Sequence, residues 1–314
     1  MKILITGGAG FIGSHVADRL LESGHSVLIL DNYQTGKREN NAPHPGLSIV
    51  EGSVADAGLI KKLFSEFMPD AVLHAAAAYK DPENWEEDIA TNVIGTINIA
   101  RVSADHKVKK LIYLQTSLCY GIGSSEKPIR VGSPYFSGGY QGGSSYAISK
   151  TGGELYLELS GQKFISFRLA NIYGPRNLSG PLPTFYKRLS HGEACKVVKT
   201  RRDFVYVSDI VSAIEKALMG DVSHGYFNLS SGSDHSIKEL FSMICKYVHI
   251  DKPIFEESEM RADDVKTILL DSSETKKTFE WSCRVNLEEG IKRTIESYKL
   301  TTLQETYTHL KNPY

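Results

Sequence analysis

The stretch from Lys2 to Gly13, Lys-Ile-Leu-Ile-Thr-Gly-Gly-Ala-Gly-Phe-Ile-Gly, constrains the fold of this chain more than any other. Ile3 to Thr6 read as a buried parallel strand, and Gly7, Gly8, Gly10 and Gly13 as a tight turn into an amphipathic helix. Without Cβ atoms at those glycines, backbone can approach a pyrophosphate closely, and a helix N-terminus offers N–H groups and positive dipole to it. The run satisfies both G-x-G-x-x-G from Gly8 and G-x-x-G-x-x-G from Gly7. Strand, turn and helix arrive in the order a dinucleotide-binding unit needs.

Asp31 ends the next apolar run, Ser26 to Leu30. A carboxylate there accepts hydrogen bonds from adenosine ribose hydroxyls and repels a 2′-phosphate, so NAD is expected over NADP. Further strands are predicted at Leu47 to Glu51, Asp70 to His74, Lys110 to Gln115 and Phe164 to Leu169. Helices are predicted at Val16 to Glu22, Asp56 to Phe67, Trp85 to Ala104 and Ser145 to Leu159. This alternation with short links predicts an α/β fold, a Rossmann-type doubly wound parallel sheet covered on both faces. The Gly-, Ser- and Pro-rich stretch from Gly123 to Ser145 is expected to be a functional loop. Beyond residue 170 the alternation breaks down. Residues 1–170 and about 204–230 are assigned to the nucleotide domain, about 171–203 and 231–314 to a smaller substrate domain. Tyr307 to Tyr314 read as a loosely attached tail.

A length of 314 residues suffices for this arrangement, and the formal net charge of −1 gives no global basic field for nucleic acid or anionic membrane. Cys119, Cys195, Cys245 and Cys283 show neither C-x-x-C nor zinc spacing, so no metal site is expected. Reduced thiols, no apolar run of membrane-spanning length and a strand directly after Met1 predict a cytoplasmic protein.

Tyr146 and Lys150 stand four apart on a predicted helix and share a face. A free tyrosine, with a pKa near ~10, is a poor base at neutral pH. A neighbouring ammonium and the positive ring of an oxidised nicotinamide are expected to favour the phenolate, making a base for an alcohol proton. Thr116 falls at the C-terminal end of a strand, the edge where open α/β sheets place ligands.

Thr6 to Gly13, Asp31-Asn32, Thr116 with Tyr120-Gly121, Tyr146-x-x-x-Lys150, Arg168 to Pro175, Arg202 to Asp209 and Leu287 to Ile291 together resemble the extended short-chain dehydrogenase/reductase family. Within it the chain is similar to nucleotide-sugar 4-epimerases and to the WbmG-type epimerase/dehydratases of bacterial O-antigen synthesis. The resemblance implies bound NAD, a UDP-sugar substrate and a homodimer built on helices 85–104 and 146–160. It implies Thr116, Tyr146 and Lys150 as catalytic residues. Gly7, Gly10, Phe11, Ile12 and Gly13 would hold the pyrophosphate, Asp31 and Asn32 the adenosine ribose, and Thr35 and Gly36 would also bind the cofactor. Ser53 and Val54 would meet adenine, where the family usually has Asp at the first position. Ala75, Ala76, Ala77 and Lys80 would lie along the nicotinamide half. Ser117, Asn171, Leu182, Arg202 and Arg261 would contact substrate. Lys199 and Arg201 either face a substrate phosphate or acidic sugar, or form a solvated basic loop.

Family 4,6-dehydratases carry Asp-Glu directly after the catalytic Thr, where this chain has Ser117-Leu118. The expected reaction is therefore C4 epimerisation of a UDP-hexose, a UDP-N-acetylhexosamine or its uronic acid. A dehydratase or net oxidoreductase is the alternative, and a non-catalytic NAD-binding regulator the third. Cys119 is expected to be core.

Overall fold

The computed structural model describes residues 1–121, 127–136, 144–260, 266–301, 303 and 305–307. The chain opens with β1 (Lys2–Thr6), α1 (Phe11–Glu22), β2 (Ser26–Asp31), β3 (Leu47–Glu51), α2 (Ala57–Phe67) and β4 (Ala71–His74). Next come α3 (Trp85–Asp88), a π-helical turn (Ile89–Gly95), α4 (Thr96–Asp105), β5 (Lys110–Thr116), α5 (Ser145–Leu159), β6 (Ile165–Leu169) and β7 (Asn171–Tyr173). The rest comprises α6 (Pro181–Ser190), β8 (Cys195–Val198), β9 (Arg201–Tyr206), α7 (Val207–Met219), β10 (Gly225–Leu229), β11 (Asp234–Ser236), α8 (Ile237–Val248), β12 (Phe255–Ser258), β13 (Thr267–Ile268), α9 (Ser273–Phe279) and α10 (Leu287–Lys299).

Seven strands form one parallel sheet in the order β10-β6-β5-β4-β1-β2-β3. This is the expected doubly wound α/β arrangement. Its strands are apolar on both faces because helices cover both. Ile3 and Ile5 join Val16, Leu20, Ile210 and Ile214 of α1 and α7 in one core. Leu4 points to the other face and meets Ile60, Phe64, Ile99 and Leu157 of α2, α4 and α5. The two-residue period of β1 thus decides which helices it carries. A second sheet is centred on β9, which pairs with β7, β11 and β13, and β8 pairs with β12.

Two departures from the sequence reading have local causes. The first helix starts at Phe11 rather than Val16, because the glycine turn already ends at Gly10. A Cβ at Gly13 would stand 2.2 Å from the Gly7 carbonyl oxygen, so only glycine lets the helix begin this close to the strand. The predicted helix from Trp85 to Ala104 is interrupted by the π-turn. Asn92 in that turn accepts from Ala78 N at 2.9 Å and donates to Ala78 O and Ser149 Oγ, each at 3.0 Å. It ties the segment after β4 to α5. Such turns within α-helices recur beside functional sites.

Below the turn runs a buried polar chain. The Thr96 hydroxyl donates to Asn92 O at 2.7 Å, so it accepts from Nε2–H of His74 at 2.9 Å. Nδ1 of His74 is then the acceptor, and the Thr6 hydroxyl donates to it at 2.7 Å. A neutral imidazole satisfies every group in this chain. Burial, with the Lys150 charge second, holds the His74 pKa down to about 3 from 6.5. The folded value lies below the unfolded one, so this contribution to stability is present above pH 6.5 and is lost as pH falls toward 3. Between pH 7 and pH 5 the wild-type protein is expected to lose about 2 kcal/mol more than His74→Asn, measured by urea unfolding at both pH values. Equal losses would show that His74 titrates normally.

Candidate functional site

One cleft lies at the C-terminal edge of the parallel sheet, between it and the second sheet. Gly7, Gly10, Phe11, Ile12 and Gly13 form part of its wall, with Asp31, Asn32 and Thr35 beside them. Ser53 and Val54 follow β3, and Ala75, Ala76 and Ala77 follow β4. Thr116, Ser117 and Tyr146 line the same cavity, as do Asn171, Leu182 and Arg202 from the other half. Residues from across the chain converge because parallel strands deliver all their C-terminal ends to one edge.

Three expected residues stand elsewhere. Gly36 backs the Asp31 carboxylate, with its Cβ position 2.7 Å from Asp31 Oδ1. Lys150 is buried behind the wall. Lys80 turns away and pairs with both carboxylate oxygens of Glu305 at 3.1 Å. Arg261, in the 261–265 stretch, lies outside the described residues, as do 122–126 and 137–143 of the predicted loop.

Asp31 is 6% exposed, and burial raises its pKa against hydrogen bonds that lower it. Its carboxylate accepts from Ala9 N and Tyr33 N, each at 2.8 Å. Gly10 caps α1 with no side chain, and no acidic residue occupies the first turn. The N–H groups of that turn are therefore offered to whatever lies in the cleft. Residues and backbone fit a dinucleotide. Ser53 Oγ accepts from Ala55 N at 3.1 Å, closing a local turn at the cleft wall.

α6 supplies a second uncapped end, where Leu182 has an N–H to offer and Pro181 and Pro183 have none. Gly180 precedes it at φ 90, Pro181 stands in its first turn, and no side chain caps it. Arg202 reaches the same cavity from β9 and is 6% exposed. Its neighbour Arg201 points the opposite way and binds Asp234 at 2.8 Å. Lys199 likewise pairs with Glu259 at 2.5 Å on the surface. The substrate-facing alternative for Lys199 and Arg201 is thus corrected: strand alternation sends Arg202 inward and its neighbour outward.

Thr116 ends β5 and caps the short 3-10 turn Ser117–Tyr120, its hydroxyl accepting from Leu118 N at 3.2 Å. Its own hydrogen is left to donate into the cavity. On α5, capped by Ser144, Tyr146 packs 5.6 Å from the ring of Tyr79. Burial, then the Asp88 carboxylate, raises the Tyr146 phenol above its ordinary value. Lys150 does not offset this as expected. Its ammonium sits 3.9 Å from the Tyr113 ring centroid, and burial pushes its pKa down to about 7. Desolvation outweighs the helix spacing on which the expectation rested. Cys119 is fully buried outside the wall, and burial pushes its thiol up, as core packing requires.

Sequence reasoning missed three supporting groups. Gln115 donates to the Lys150 carbonyl at 3.1 Å and accepts from Thr116 N at 2.8 Å. Tyr113 donates to the same carbonyl at 2.8 Å. Alternation along β5 puts both on the face that meets α5, a signal present in the strand pattern. Tyr79 had no such signal beyond following the alanine run.

Among the described residues, no helix is long and apolar enough to cross a membrane, and no group of three His, Cys, Asp or Glu is placed to hold a metal ion. The family model described as NAD dependent epimerase/dehydratase matches residues 3–229. A UDP-glucose 4-epimerase of Mycolicibacterium smegmatis is 31% identical, over 95% of this chain and 99% of its own. A UDP-N-acetyl-alpha-D-glucosaminuronate decarboxylase of Bacillus cytotoxicus is 33% identical, over 95% and 98%. The Bordetella bronchiseptica enzyme WbmG, crystallised with NAD and also with NAD and UDP, is 43% identical. Its NAD complex superposes with a TM-score of 0.89, covering 99% of this chain and 98% of that one. With the glycine turn, Asp31 and Tyr146 on one cavity wall, the chain belongs to the NAD-dependent epimerase/dehydratase family.

Proposed function

We propose that this protein is an NAD-dependent UDP-sugar 4-epimerase. The observation that carries the reading is the convergence on one cavity of two helix N-termini without side-chain caps, Arg202, and the pair Thr116 and Tyr146. The α1 turn and Asp31 suit the pyrophosphate and ribose of the cofactor. Arg202, Asn171 and the start of α6 at Leu182 suit the diphosphate of the sugar nucleotide. When bound, NAD takes a hydride from a sugar carbon and gives it back.

Tyr146 removes the C4 hydroxyl proton, and Thr116 donates a hydrogen bond to the same oxygen. Lys150, one turn along α5, holds the helix that carries Tyr146, its ammonium lying behind the wall against Tyr113. Arg202 holds the diphosphate while the 4-keto sugar turns over, and Tyr146 returns the proton. Leu118 lines the cavity beside Ser117 and can neither give nor take one, which disfavours elimination of water. The 33% identity to a sugar-acid decarboxylase favours one other reading. A 4-keto uronic acid is a β-keto acid, and the same oxidation would release CO2 from it.

Purified protein offered UDP-hexoses, UDP-N-acetylhexosamines and their uronic acids is expected to form C4 epimers, seen by proton NMR without net NADH. Tyr146→Phe is expected to lower kcat by about 10²-fold or more while NAD content holds. Release of CO2 would favour the decarboxylase, and no change in any sugar would overturn both readings.

A homodimer is part of the proposal. Ile148, Leu155 and Leu159 lie exposed along α5, next to Trp85, Ile89 and Ile94 of the neighbouring helical run, with Leu159 78% exposed. One apolar face on two adjacent helices suits the same face of a second copy. Light scattering is expected to give a dimer for the wild type and a monomer for Leu155→Glu. A wild-type monomer at micromolar concentration would overturn this.

A further inference from the structure

Tyr307 was expected in a loose tail, yet its contacts reach both halves of the molecule. Its N–H donates to Leu178 O at 3.0 Å, and its carbonyl accepts from Gly180 N at 3.2 Å, at the entry to α6. Its ring meets that of Tyr79 edge-on, with centroids 5.6 Å apart. Its phenol lies beside the hydroxyl groups of Tyr79 and Thr35. Thr35, Tyr79 and Ser179 all line the cleft, from segments after β2, after β4 and before α6. Thr35 stands close in sequence to Asp31, and Tyr79 packs on Tyr146. The line Thr35–Tyr307–Tyr79 therefore spans from the ribose end of the cleft to its phenol end. Nearby, Glu305 holds Lys80, whose ammonium is 5.8 Å from the Tyr307 ring.

We propose that Tyr307 is a clasp residue: it closes the cleft over the dinucleotide, slows its release, and positions Tyr79 against Tyr146. The inference rests on the cofactor reading above but not on which sugar is turned over. Three properties support it. A half-buried phenol needs polar surroundings, and the two hydroxyl groups beside it belong to the cleft wall. Aromatic edge contacts fix relative ring orientation, so Tyr307 sets the angle of Tyr79 and Tyr79 bears on Tyr146. The Lys80–Glu305 pair is exposed on both sides, so it is a minor tether beside the tyrosine.

The test uses the full chain as purified with NAD. Exchange of bound NAD for labelled NAD is followed in the wild type, Tyr307→Phe, Tyr307→Ala and Lys80→Ala. Tyr307→Ala is expected to speed release about tenfold or more, since it loses the phenol between Thr35 and Tyr79 and a ring contact. Tyr307→Phe keeps the ring and is expected to fall between it and wild type. Lys80→Ala is expected to stay within about twofold of wild type. With a turned-over sugar, kcat of Tyr307→Ala is expected to fall while KM for the sugar nucleotide moves little, and Phe is expected to restore part of kcat. Thermal unfolding of the NAD-free variants checks folding, and if Tyr307→Ala fails it, Tyr307→Phe decides. Release within twofold of wild type in the variant that decides would overturn the proposal. Wild-type protein that never holds NAD would instead overturn the cofactor reading.

Discussion

An ammonium group kept from water is the constraint on which the site depends. Lys150 is 1% exposed, and burying a charge is costly unless the surroundings answer it. Strand β5 supplies the answer. The face of Tyr113 lies under the ammonium, while Tyr113 and Gln115 donate to the carbonyl of the same residue. Sliding α5 along β5 would therefore unpair a buried carbonyl and strip a cation of its aromatic face together. One turn further, Glu154 is buried in an ion pair with Arg168 at 3.0 Å, which pins the other end of the contact. Tyr146 rides on α5 and Thr116 ends β5, so their relation is fixed by groups that face away from the cavity.

The electrostatics of the cleft follow from backbone as much as from side chains. Two helices begin at its wall with glycine as the residue before the first turn; α1 leaves the N–H groups of that turn to the cavity, and α6, with proline at 181 and 183, leaves that of Leu182. Arg202 adds a full charge, and Asp31 is the carboxylate that opposes it. Backbone N–H groups of Ala9 and Tyr33 hold that carboxylate in place despite its burial. Under the proposed function, a cavity of this kind suits two diphosphates and sorts what hangs on each. A phosphate beside Asp31 would meet like charge in a low dielectric, whereas ribose hydroxyls would meet lone pairs.

What was legible in the sequence was local and periodic. The strand-glycine-helix unit, Asp31 at a strand end and Tyr146 with Lys150 on one helix face can each be read from spacing. The choice between Arg201 and Arg202 could have been read too, since β9 alternates, but a cluster of basic residues hides the alternation. What could not be read depends on distant partners. The π-turn exists because Asn92 binds Ala78 and Ser149, and no window around residue 92 contains either bond partner's geometry. Tyr307 looked like tail because its partners lie at Thr35, Tyr79 and Leu178. The pKa of Tyr146 depends on how much water the fold removes, and that outweighs a cation one helical turn away.

The division of labour between polar and apolar walls bears on the reaction class. Turning a keto sugar over requires that its nucleotide be held and its ring not be. Arg202 and the start of α6 provide directional, charged contacts at one end of the cleft. Around Thr116 and Tyr146 the wall includes Leu114, Leu118, Phe136 and Ala170, whose contacts have no preferred direction. Thr116 itself turns Leu118 into that wall, by capping the 3-10 turn through Leu118 N. In the proposed reaction a hydroxyl of the sugar would thus meet two polar side chains that can act on its proton, beside an apolar surface over which the ring could rotate. An acidic residue at position 118 would instead grip the ring and offer a second proton-transfer group, which is what elimination needs and epimerisation does not.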